Sequence, residues 1–582
     1  MNTELAVYVN NDDALIRWSV DQLDDKCLGF AIQRRLTVDG KAGQPEWLDN
    51  YAPPDTVNIP AGTHQSSADW PFRSFSWTDH SVGTGDTVSY RMVPVLDGAP
   101  APSEDMASAW SEPKTLSLGS STPYSGYFNR GFVISQFMSR YLDEHYPGLT
   151  REAALRKFKQ DIGQQADDEL RVFLSGNLRT RMLALLDDVV KGTDHIYAAL
   201  FELSDEELIP RLEALGPRAH VVLSNGSVKT AGDDENAAAR KRLLAKQVDV
   251  GDVDRFISPG ALGHNKFLVV TDPQGSPKRA WTGSTNWTPT GLCTQLNNGL
   301  LAEDPDVAAA YLKQWHALRE AKSDHPPALA AGNGLPTPVG GTQAGTVRSS
   351  VHFTRAVNKV DLDGLGEIVR GAQEGILFLM FIPGGSGVFA DVKDLATNRP
   401  DLVVRGVVSE LPHGRASEKT GPTTTVSVQV LGAPTQPVGP PQEFEVVQPE
   451  GNANPTAFWA AETTHKQFTS SVGYAIIHSK VLVVDPFSDD PTVVTGSHNF
   501  SLSASGNNDE NFMVVQGDRA LAEAYSVNVE SAWRHYAGRA AGTAHATLTG
   551  IDFLRARLQD SRRSERFWHV GAGAAAGANP KR

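Results

Sequence analysis

A pattern of one histidine, one lysine and an apolar run occurs twice in this 582-residue chain and constrains its fold more than any other feature. The first copy begins with His264 and Lys266 and the second with His478 and Lys480, and four apolar residues follow each lysine. A Gly-Ser-x-Asn sequence begins 19 residues after the first histidine and 18 residues after the second. Residues two apart on a strand project to the same face, so the histidine and lysine of each copy can reach one substrate group. We therefore predict an internal duplication that brings two copies of one motif together.

The residues before each copy predict strands and helices in the same order. Apolar stretches at 195–201 and 219–223, and again at 375–381 and 402–408, are typical of buried strands. We expect a helix inside each pair, the first opening with Ser204 as its N-cap and ending near Gly216, the second within 388–396. Strand, helix and strand in succession predict a parallel sheet. The predicted fold class is therefore α/β, with a first lobe at 119–323 and a second at 347–545.

Three flanking segments have their own compositions. Residues 1–118 contain short apolar runs between turns rich in Pro and Gly, which predicts an all-β sandwich domain. A Trp strand, a Gly-Phe-x-Ile-x-Arg strand and a Tyr-Arg-x-x-Pro strand follow one another there, an order similar to fibronectin type III modules. Residues 324–346 have the Pro, Gly and Ala content of a linker, and 546–582 predict a helix and a tail. An insertion at 414–455 is expected to be a surface excursion or a lid.

Charge and cysteine content narrow the possible partners. The formal net charge of -15 means that the surface on average repels polyanions, which disfavours nucleic acid unless a local basic groove exists. The two cysteines, Cys27 and Cys293, are too far apart in sequence for a metal knuckle, so we expect free thiols. No signal-like start or long apolar run occurs, so the default expectation is a cytoplasmic protein, with signal-independent export and transient contact with a membrane surface left open. A duplicated site needs no partner subunit, so we expect a monomer.

The two copies resemble the paired His-x-Lys-x4-Asp motifs, each followed by Gly-Ser-x-Asn, of the phospholipase D superfamily. The resemblance covers roughly 125–540. It implies two lobes of phospholipase D type related by a pseudo-twofold axis, with the active site at their interface. It also implies that a phosphohistidine intermediate forms and is resolved by water or an alcohol.

The residue types of the motif suit that chemistry. Cleaving a phosphodiester without a metal requires a nucleophile, an acid for the leaving oxygen and fixed donors for the charged oxygens. We predict neither a metal nor a cofactor. The histidines supply nucleophile and acid, the lysines neutralise the phosphate, and four side chains can donate hydrogen bonds to its oxygens: Ser284, Asn286, Ser497 and Asn499.

The motif aspartates of the two copies do not match. Asp485 completes the second motif as structural support. In the first copy Thr271 stands at that position, and Asp272 is displaced by one residue. On a strand, that displacement turns the carboxylate to the opposite face.

A second mismatch concerns the groups behind the histidines. Counting from each Gly-Ser-x-Asn aligns Glu510 of the second copy with Asn297 of the first. We predict that Glu510 lies behind His478, raises its pKa and keeps it protonated as the acid. Asn297 is then expected beside His264, which the resemblance favours as the nucleophile. The opposite assignment of the two histidines stays open, because a carboxylate also orients a nucleophile.

The substrate is predicted less directly than the reaction. Phospholipid or another lipid phosphodiester comes first, because the chain is acidic and the apolar segment 378–381, with Phe389 beyond it, would suit an acyl group. The first alternative is an endonuclease or other polynucleotide phosphodiesterase, which needs a basic, aromatic-lined groove. The second is a catalytically decayed protein that binds a phosphorylated ligand. Turnover of phosphatidylcholine against plasmid DNA in the presence of a chelator separates the three.

Overall fold

The computed structural model describes most of the chain. The described residues are 1–50, 64–131, 142, 144–251, 255–333, 336–339, 347–383, 386–409, 429–430, 444–447, 477–544 and 550–570. Most of the predicted insertion at 414–455 and the tail beyond 570 lie outside them.

The N-terminal residues form short antiparallel strands in separate sheets. Strands β1, β2 and β8 make one sheet, and β10, β9, β3 and β4 make another, which β5 joins through β3, while β6 pairs with β7. Between the two larger sheets lies a cluster of buried aromatic rings, including Trp18, Phe30 and Phe75. The strands are β1 (Thr3–Val9), β2 (Ala14–Val20), β3 (Cys27–Val38), β4 (Lys41–Ala42), β5 (Glu46–Trp47), β6 (Asp49–Asn50), β7 (Gln65–Ser66), β8 (Ser76–Asp79), β9 (Thr87–Leu96) and β10 (Lys114–Thr115).

The first motif lies in a seven-stranded mixed sheet of order β11-β17-β16-β15-β12-β13-β14. Its strands are β11 (Tyr124–Phe128), β12 (His195–Leu200), β13 (Ala219–Leu223), β14 (Asp249–Val250), β15 (Lys266–Thr271), β16 (Pro277–Gly283) and β17 (Asn298–Ala302). The helices are α1 (Arg151–Gln164), α2 (Glu169–Lys191), α3 (Leu208–Leu215), α4 (Ala237–Ala245), α5 (Pro289–Cys293) and α6 (Pro305–Ala321). Strands β12 and β13 pair in parallel as predicted, whereas the motif strand β15 is antiparallel to β12.

The second motif lies in a nine-stranded sheet of order β18-β19-β26-β25-β24-β20-β21-β23-β22. Its strands are β18 (Thr337–Val339), β19 (Arg348–Phe353), β20 (Gly375–Met380), β21 (Val403–Val408), β22 (Gln429–Val430), β23 (Phe444–Val447), β24 (Val481–Val484), β25 (Thr492–Gly496) and β26 (Asn511–Gln516). The helices are α7 (Pro327–Gly332), α8 (Val360–Arg370), α9 (Val388–Asn398), α10 (Leu502–Gly506), α11 (Arg519–Ala544) and α12 (Gly550–Arg562). From β19 to β23 the order repeats that of the first sheet from β11 to β14.

Strand periodicity explains how the layers form. Along β15, Phe267 and Val269 belong to a central apolar cluster, while Leu268 and Val270 belong to a cluster on the other face. The second sheet divides in the same way, because Val481 and the other odd positions of β24 face the central cluster and the even positions face an outer one. Since both sheets and helices α6 and α11 share the central cluster, that cluster joins the two halves of the molecule.

The N-terminal strands are attached to both halves. Arg17 of β2 pairs at 2.8 Å with the fully buried Glu530 of α11, which also binds Arg405 of β21. On the other side, Arg130 donates to the backbone of Asp12 and pairs with Asp13. Buried ion pairs of this kind are costly to break, since removing one partner leaves a charge uncompensated.

The last described residues pack on the first. Helix α12 contributes Leu554 and Leu558 to the core of the N-terminal strands. The guanidinium of Arg17 lies 4.7 Å from the ring centroid of Trp568, and the hydroxyl of Tyr8 donates to the Trp568 carbonyl. The predicted C-terminal helix is therefore present and closes the N-terminal unit.

Two local predictions are modified. Ser204 is not an N-cap: the first helix of the pair begins at Leu208, and the carboxylate of Asp205 accepts from the backbone N–H of Glu207 and Leu208. Gly216 ends that helix as predicted, with a φ of 52° that glycine tolerates. Inside the segment expected to be a linker, α7 forms and β18 pairs with β19.

Among the described residues, no helix combines the length and the apolar character that crossing a membrane requires.

Candidate active site

The two histidines lie at the start of equivalent strands and face each other. His264 precedes β15 and His478 precedes β24, and their ring centroids are 6.4 Å apart with the planes at 69°. Each side chain is about 5% exposed. Two rings at this distance can lie on either side of one phosphoryl group, so the structure brings together the two residues that the sequence singled out.

The side chains that hydrogen-bond to the two histidines are exchanged relative to the prediction. Nδ1 of His264 lies 2.9 Å from Oε2 of Glu510, and Nδ1 of His478 lies 2.9 Å from Oδ1 of Asn297. The prediction that Glu510 lies behind His478 was wrong. Each histidine is supported by the other half of the molecule.

Backbone pairing between the halves explains the crossing. His478 and Ser479 donate their N–H groups to the carbonyl of Leu296, the residue before Asn297. Beside the other ring, Asp509, the residue before Glu510, donates its N–H to the carbonyl of Leu262, two residues before His264. The segment that enters β17 therefore runs beside the second histidine, and the segment that enters β26 runs beside the first.

Side-chain bonds fix the amide behind His478. Ser284 Oγ donates to Asn297 Oδ1 at 2.7 Å, while Asn297 Nδ2 donates to the carbonyl of Gly291 at 2.8 Å. The oxygen must therefore face the ring, so His478 donates from Nδ1 and its Nε2 faces the open side of the site. Glu510 is an acceptor and imposes the same tautomer on His264.

Burial governs the protonation of both rings. It lowers the pKa of His264 to about 4 even though Glu510 acts in the opposite direction. It also lowers the pKa of His478 well below its ordinary value, and the neighbouring lysine charges act in the same direction. The expected rise of the His478 pKa was wrong, because the group behind that ring is a neutral amide. Burial alone would raise the pKa of Glu510, but His264 and Lys266 bring it below its ordinary value.

The two lysines are buried beside the rings. Lys266 donates at 2.7 Å to the carbonyl of His264, and Lys480 donates in the same way to that of His478. Burial lowers the pKa of Lys266 to about 7 and that of Lys480 well below its ordinary value, where the charge of Lys266 adds to the effect. An anion between them would stabilise both ammonium groups, so the site has the electrostatics of an anion site.

An aromatic ring covers each histidine and lysine pair, a role that was not predicted for either ring. Phe201 lies 4.8 Å from the His264 ring and 4.8 Å from Lys266 Nζ. Phe381 lies 5.1 Å from both the His478 ring and Lys480 Nζ. Each phenylalanine directly follows the strand that pairs with the motif strand, a position that could have indicated it. The expectation that Phe378 and Phe389 line an acyl site was wrong, because both are buried in the outer core of the second half.

The four predicted donors divide into two kinds. Ser284 and Ser497 are fully buried, and each forms a hydrogen bond with an asparagine. Ser284 Oγ donates to Asn297 Oδ1, and Ser497 Oγ accepts from the N–H of Asn511. Asn286 donates to Glu202, a residue that was not predicted to belong to the site. Asn286 and Asn499 each keep a buried amide oxygen that lacks a partner among the described residues.

Matched asparagines hold the two halves together across the site. Asn298 Nδ2 donates to Thr495 Oγ1 at 2.6 Å and to the hydroxyl of Tyr525 at 3.0 Å. Asn511 Oδ1 accepts from Thr282 Oγ1 at 2.6 Å and from the hydroxyl of Tyr311 at 2.9 Å. These buried bonds fix the separation of the two histidines.

The motif aspartates have structural positions. Asp485 accepts hydrogen bonds from the backbone N–H groups of Gln373, Glu374 and Gly375 and so fixes the start of β20. Asp272 instead accepts from Gln274 and Ser276 in the turn after β15. Among the described residues, no group of three or more His, Cys, Asp or Glu side chains could hold a metal ion.

Comparison with known proteins agrees with the motif. The family model described as "Cardiolipin synthase, PLD-like domain" matches residues 417–533, which contain His478, Lys480 and Glu510. Phospholipase D of Rickettsia conorii is 25% identical over 134 residues, covering 22% of this chain and 60% of that protein. Phospholipase D of Rickettsia typhi is 24% identical over 144 residues, covering 24% of this chain and 64% of that protein. The chain thus spans less than two thirds of the length of either relative.

Among solved structures, phosphatidylserine synthase of Haemophilus influenzae Rd KW20 is 12% identical. The superposition covers 66% of this chain and 91% of that one with a TM-score of 0.40, which is too low to establish a common fold. The family model, the two Rickettsia relatives and the paired motifs all support a relationship between this chain and the phospholipase D superfamily.

Proposed function

We propose that the protein is a metal-independent phosphodiesterase that cleaves a lipid phosphodiester through a phosphohistidine on His264. The observation that carries the proposal is the hydrogen bond between Glu510 and Nδ1 of His264, in a ring pair 6.4 Å apart. The carboxylate leaves the Nε2 lone pair of a neutral ring facing the anion site, which is the state that a nucleophile requires. The two halves then act as lobes related by a pseudo-twofold axis.

The proposed roles follow from charge. When Nε2 of His264 attacks phosphorus, the ring becomes cationic, and Glu510 stabilises that charge. His478 must instead give up a proton to the leaving oxygen. The neutral amide of Asn297 does not stabilise an imidazolium as a carboxylate would, so a protonated His478 is a strong acid. Water or an alcohol then attacks the phosphohistidine with His478 as base, which returns both rings to their first state.

Phosphate binding falls to the lysines and asparagines. An anion between Lys266 and Lys480 offsets the repulsion between two buried ammonium groups. Asn286 and Asn499 sit at equivalent positions of the two motifs, and their amide N–H groups are donors of the kind that a phosphate oxygen accepts from. Neither a metal nor a cofactor has a role in the proposed reaction.

A lipid substrate is supported by an exposed apolar surface near the site. Val357, Val360 and Leu502 are 44, 39 and 47% exposed and lie on adjoining turns, linked by the hydrogen bond from Ala356 N–H to the Ser505 carbonyl. The same segment reaches the site, since Thr354 donates its N–H to the carbonyl of Glu510. A catalytic centre beside exposed aliphatic groups suits a substrate held in a membrane surface. The net charge of -15 makes a polynucleotide the weaker candidate.

Trapping the intermediate tests the reaction. Bis(p-nitrophenyl) phosphate has a good leaving group, so its first cleavage needs little help from an acid. We expect His478→Ala to release about one equivalent of p-nitrophenol in a burst and then to hold the phosphoryl group covalently. His264→Ala should give neither burst nor adduct. An adduct that persists in the His264 variant would contradict the assignment.

The substrate class requires a separate assay. We expect the wild-type protein to release head group from phosphatidylcholine vesicles in the presence of EDTA and to leave plasmid DNA intact. Nicking of the plasmid without lipid turnover would establish the polynucleotide alternative. Binding of phosphorylated ligands without turnover of either would indicate a decayed enzyme. The double variant His264→Ala, His478→Ala is the control for contaminating activity.

A further inference from the structure

Glu202 gives the first half of the site a charge that the second half lacks. It follows Phe201, which covers His264, and it is only partly exposed. The residue that follows Phe381 in the second half is Ile382, which cannot ionise. The two ends of one anion site therefore differ in a titratable group that does not belong to either motif.

Glu202 bonds directly to a proposed phosphate ligand. Asn286 Nδ2 donates to Glu202 Oε2 at 2.7 Å. Asn286 is 4% exposed, and its Oδ1 has no hydrogen-bond partner among the described residues. A buried acceptor without a donor is costly, so this amide has a reason to change orientation when a donor becomes available.

The charged groups that face Glu202 act in opposite directions. Burial and Glu235, from the segment before α4, favour the neutral carboxyl, while Lys266 of β15 favours the ionised one. The balance raises the pKa of Glu202 to about 7. A phosphoryl group bound at Lys266 would add a negative charge on the same side and favour the neutral carboxyl further.

We propose that Glu202 is a positioning residue that takes up a proton from solvent when a phosphoryl group binds and then reorients the Asn286 amide. The new O–H donates to Asn286 Oδ1 after a half-turn of the amide, which satisfies the unpartnered oxygen. Both N–H bonds of Asn286 then become available to the anion. The inference rests on the proposed function only in that the anion is the phosphoryl group of the substrate.

Proton uptake makes anion binding dependent on pH. Where Glu202 is ionised in the free protein and neutral in the complex, the dissociation constant should increase with pH, by about tenfold per unit in the limit. Ile382 offers no such coupling at the other end. Any contribution of a carboxyl group to the effect should therefore come from the first half alone.

Calorimetry with sulfate tests the inference without turnover. Sulfate keeps its charge between pH 5 and 9, so titration of the ligand does not contribute. Binding heats measured at pH 7 in two buffers with different ionisation enthalpies give the number of protons taken up. We expect the wild type to take up more protons per sulfate than the Glu202→Gln variant. The sulfate affinity of the variant should vary less with pH, because Gln is always neutral and can donate to Asn286 Oδ1. Equal proton uptake in both proteins would overturn the proposal and assign the proton to Lys266 or a histidine. Failure of the wild type to bind sulfate would also overturn it.

A second variant covers the case in which Glu202→Gln does not fold. Glu235 accepts a hydrogen bond from the N–H of Ser227 at 2.9 Å and is exposed, so Glu235→Gln should keep the structure. Loss of its charge should lower the pKa of Glu202 and move the pH of maximal uptake downward. An unmoved maximum counts against the inference. If sulfate binding depends on Glu202 while no phosphodiester is cleaved, the proposed function fails and the inference stands.

Discussion

The first and second halves of the site use the same histidine, lysine and asparagine but support them differently. His264 is backed by the carboxylate of Glu510 and His478 by the amide of Asn297, each at 2.9 Å. In both halves, the segment that carries the supporting residue bonds through its backbone to the segment of the opposite histidine, at Leu296 and at Leu262. The difference teaches that a duplicated scaffold can make two identical side chains chemically unequal by placing a carboxylate behind one ring and an amide behind the other.

The largest effect is expected from removing that difference. Glu510→Gln leaves both histidines backed by amides, so the positive charge that forms on His264 during attack loses its stabilisation. We expect kcat for bis(p-nitrophenyl) phosphate to fall by about 10³- to 10⁴-fold, as for other carboxylates that orient a catalytic histidine. The melting temperature, measured on the same sample, controls for misfolding. A loss of less than tenfold in a folded variant would remove Glu510 from the mechanism.

A second contrast between the halves lies at the short helix after each Gly-Ser-x-Asn. Pro289 begins α5 in the first half and meets α1 near Gly163, whereas the equivalent Leu502 is exposed. We expect Leu502→Asp combined with Val357→Asp to reduce turnover of phosphatidylcholine vesicles by about tenfold, because apolar area is lost and two charges that resist burial are added at the membrane surface. Turnover of soluble bis(p-nitrophenyl) phosphate should be unchanged, and Val38→Asp, at an exposed residue of β3, is the matched control. Equal loss on both substrates would rule out a surface role.

The smallest effect is expected from placing a carboxylate behind both histidines. Asn297→Asp places a carboxylate behind His478 and raises the pKa of that ring, so the protonated acid persists to higher pH. The alkaline limb of kcat/KM should move up by about one pH unit, which corresponds to about 1.4 kcal/mol of favourable interaction with the charged ring. The variant also loses the donation from Asn297 to the Gly291 carbonyl, so its melting temperature should fall. An alkaline limb at the wild-type pH would show that His478 is not the acid that limits the rate.

Sequence periodicity predicted the parts of the fold that local forces determine. The strand pairs β12 with β13 and β20 with β21 are parallel as expected, and the apolar runs after Lys266 and Lys480 form the motif strands. Ser204 misled the prediction of a helix start because the nearby carboxylate of Asp205 competes for the same backbone N–H groups. The resemblance of residues 1–118 to fibronectin type III modules stays a prediction.

The crossed pairing could not be predicted because it depends on contacts between the two halves. Alignment shows that Glu510 and Asn297 are equivalent, but it does not say which histidine each one faces. That choice is made by the backbone bonds at Leu296 and Leu262, between segments far apart in sequence. Family precedent nevertheless favoured His264 as the nucleophile, and the position of Glu510 now supports that role for a different physical reason. Glu202 was missed because its importance comes from Asn286 and Lys266, which only folding brings near it.

The contact of Trp568 with Tyr8 and Arg17 has a consequence for how the chain folds during synthesis. Strands β1 and β2 leave the ribosome long before α12, and their core is incomplete until α12 supplies Leu554 and Leu558. Arg17 likewise waits for Glu530. The N-terminal unit should therefore remain a client for chaperones until α12 has emerged from the ribosome, and it should become protease-resistant only then. A nascent chain stalled before residue 550 would expose that unfinished core.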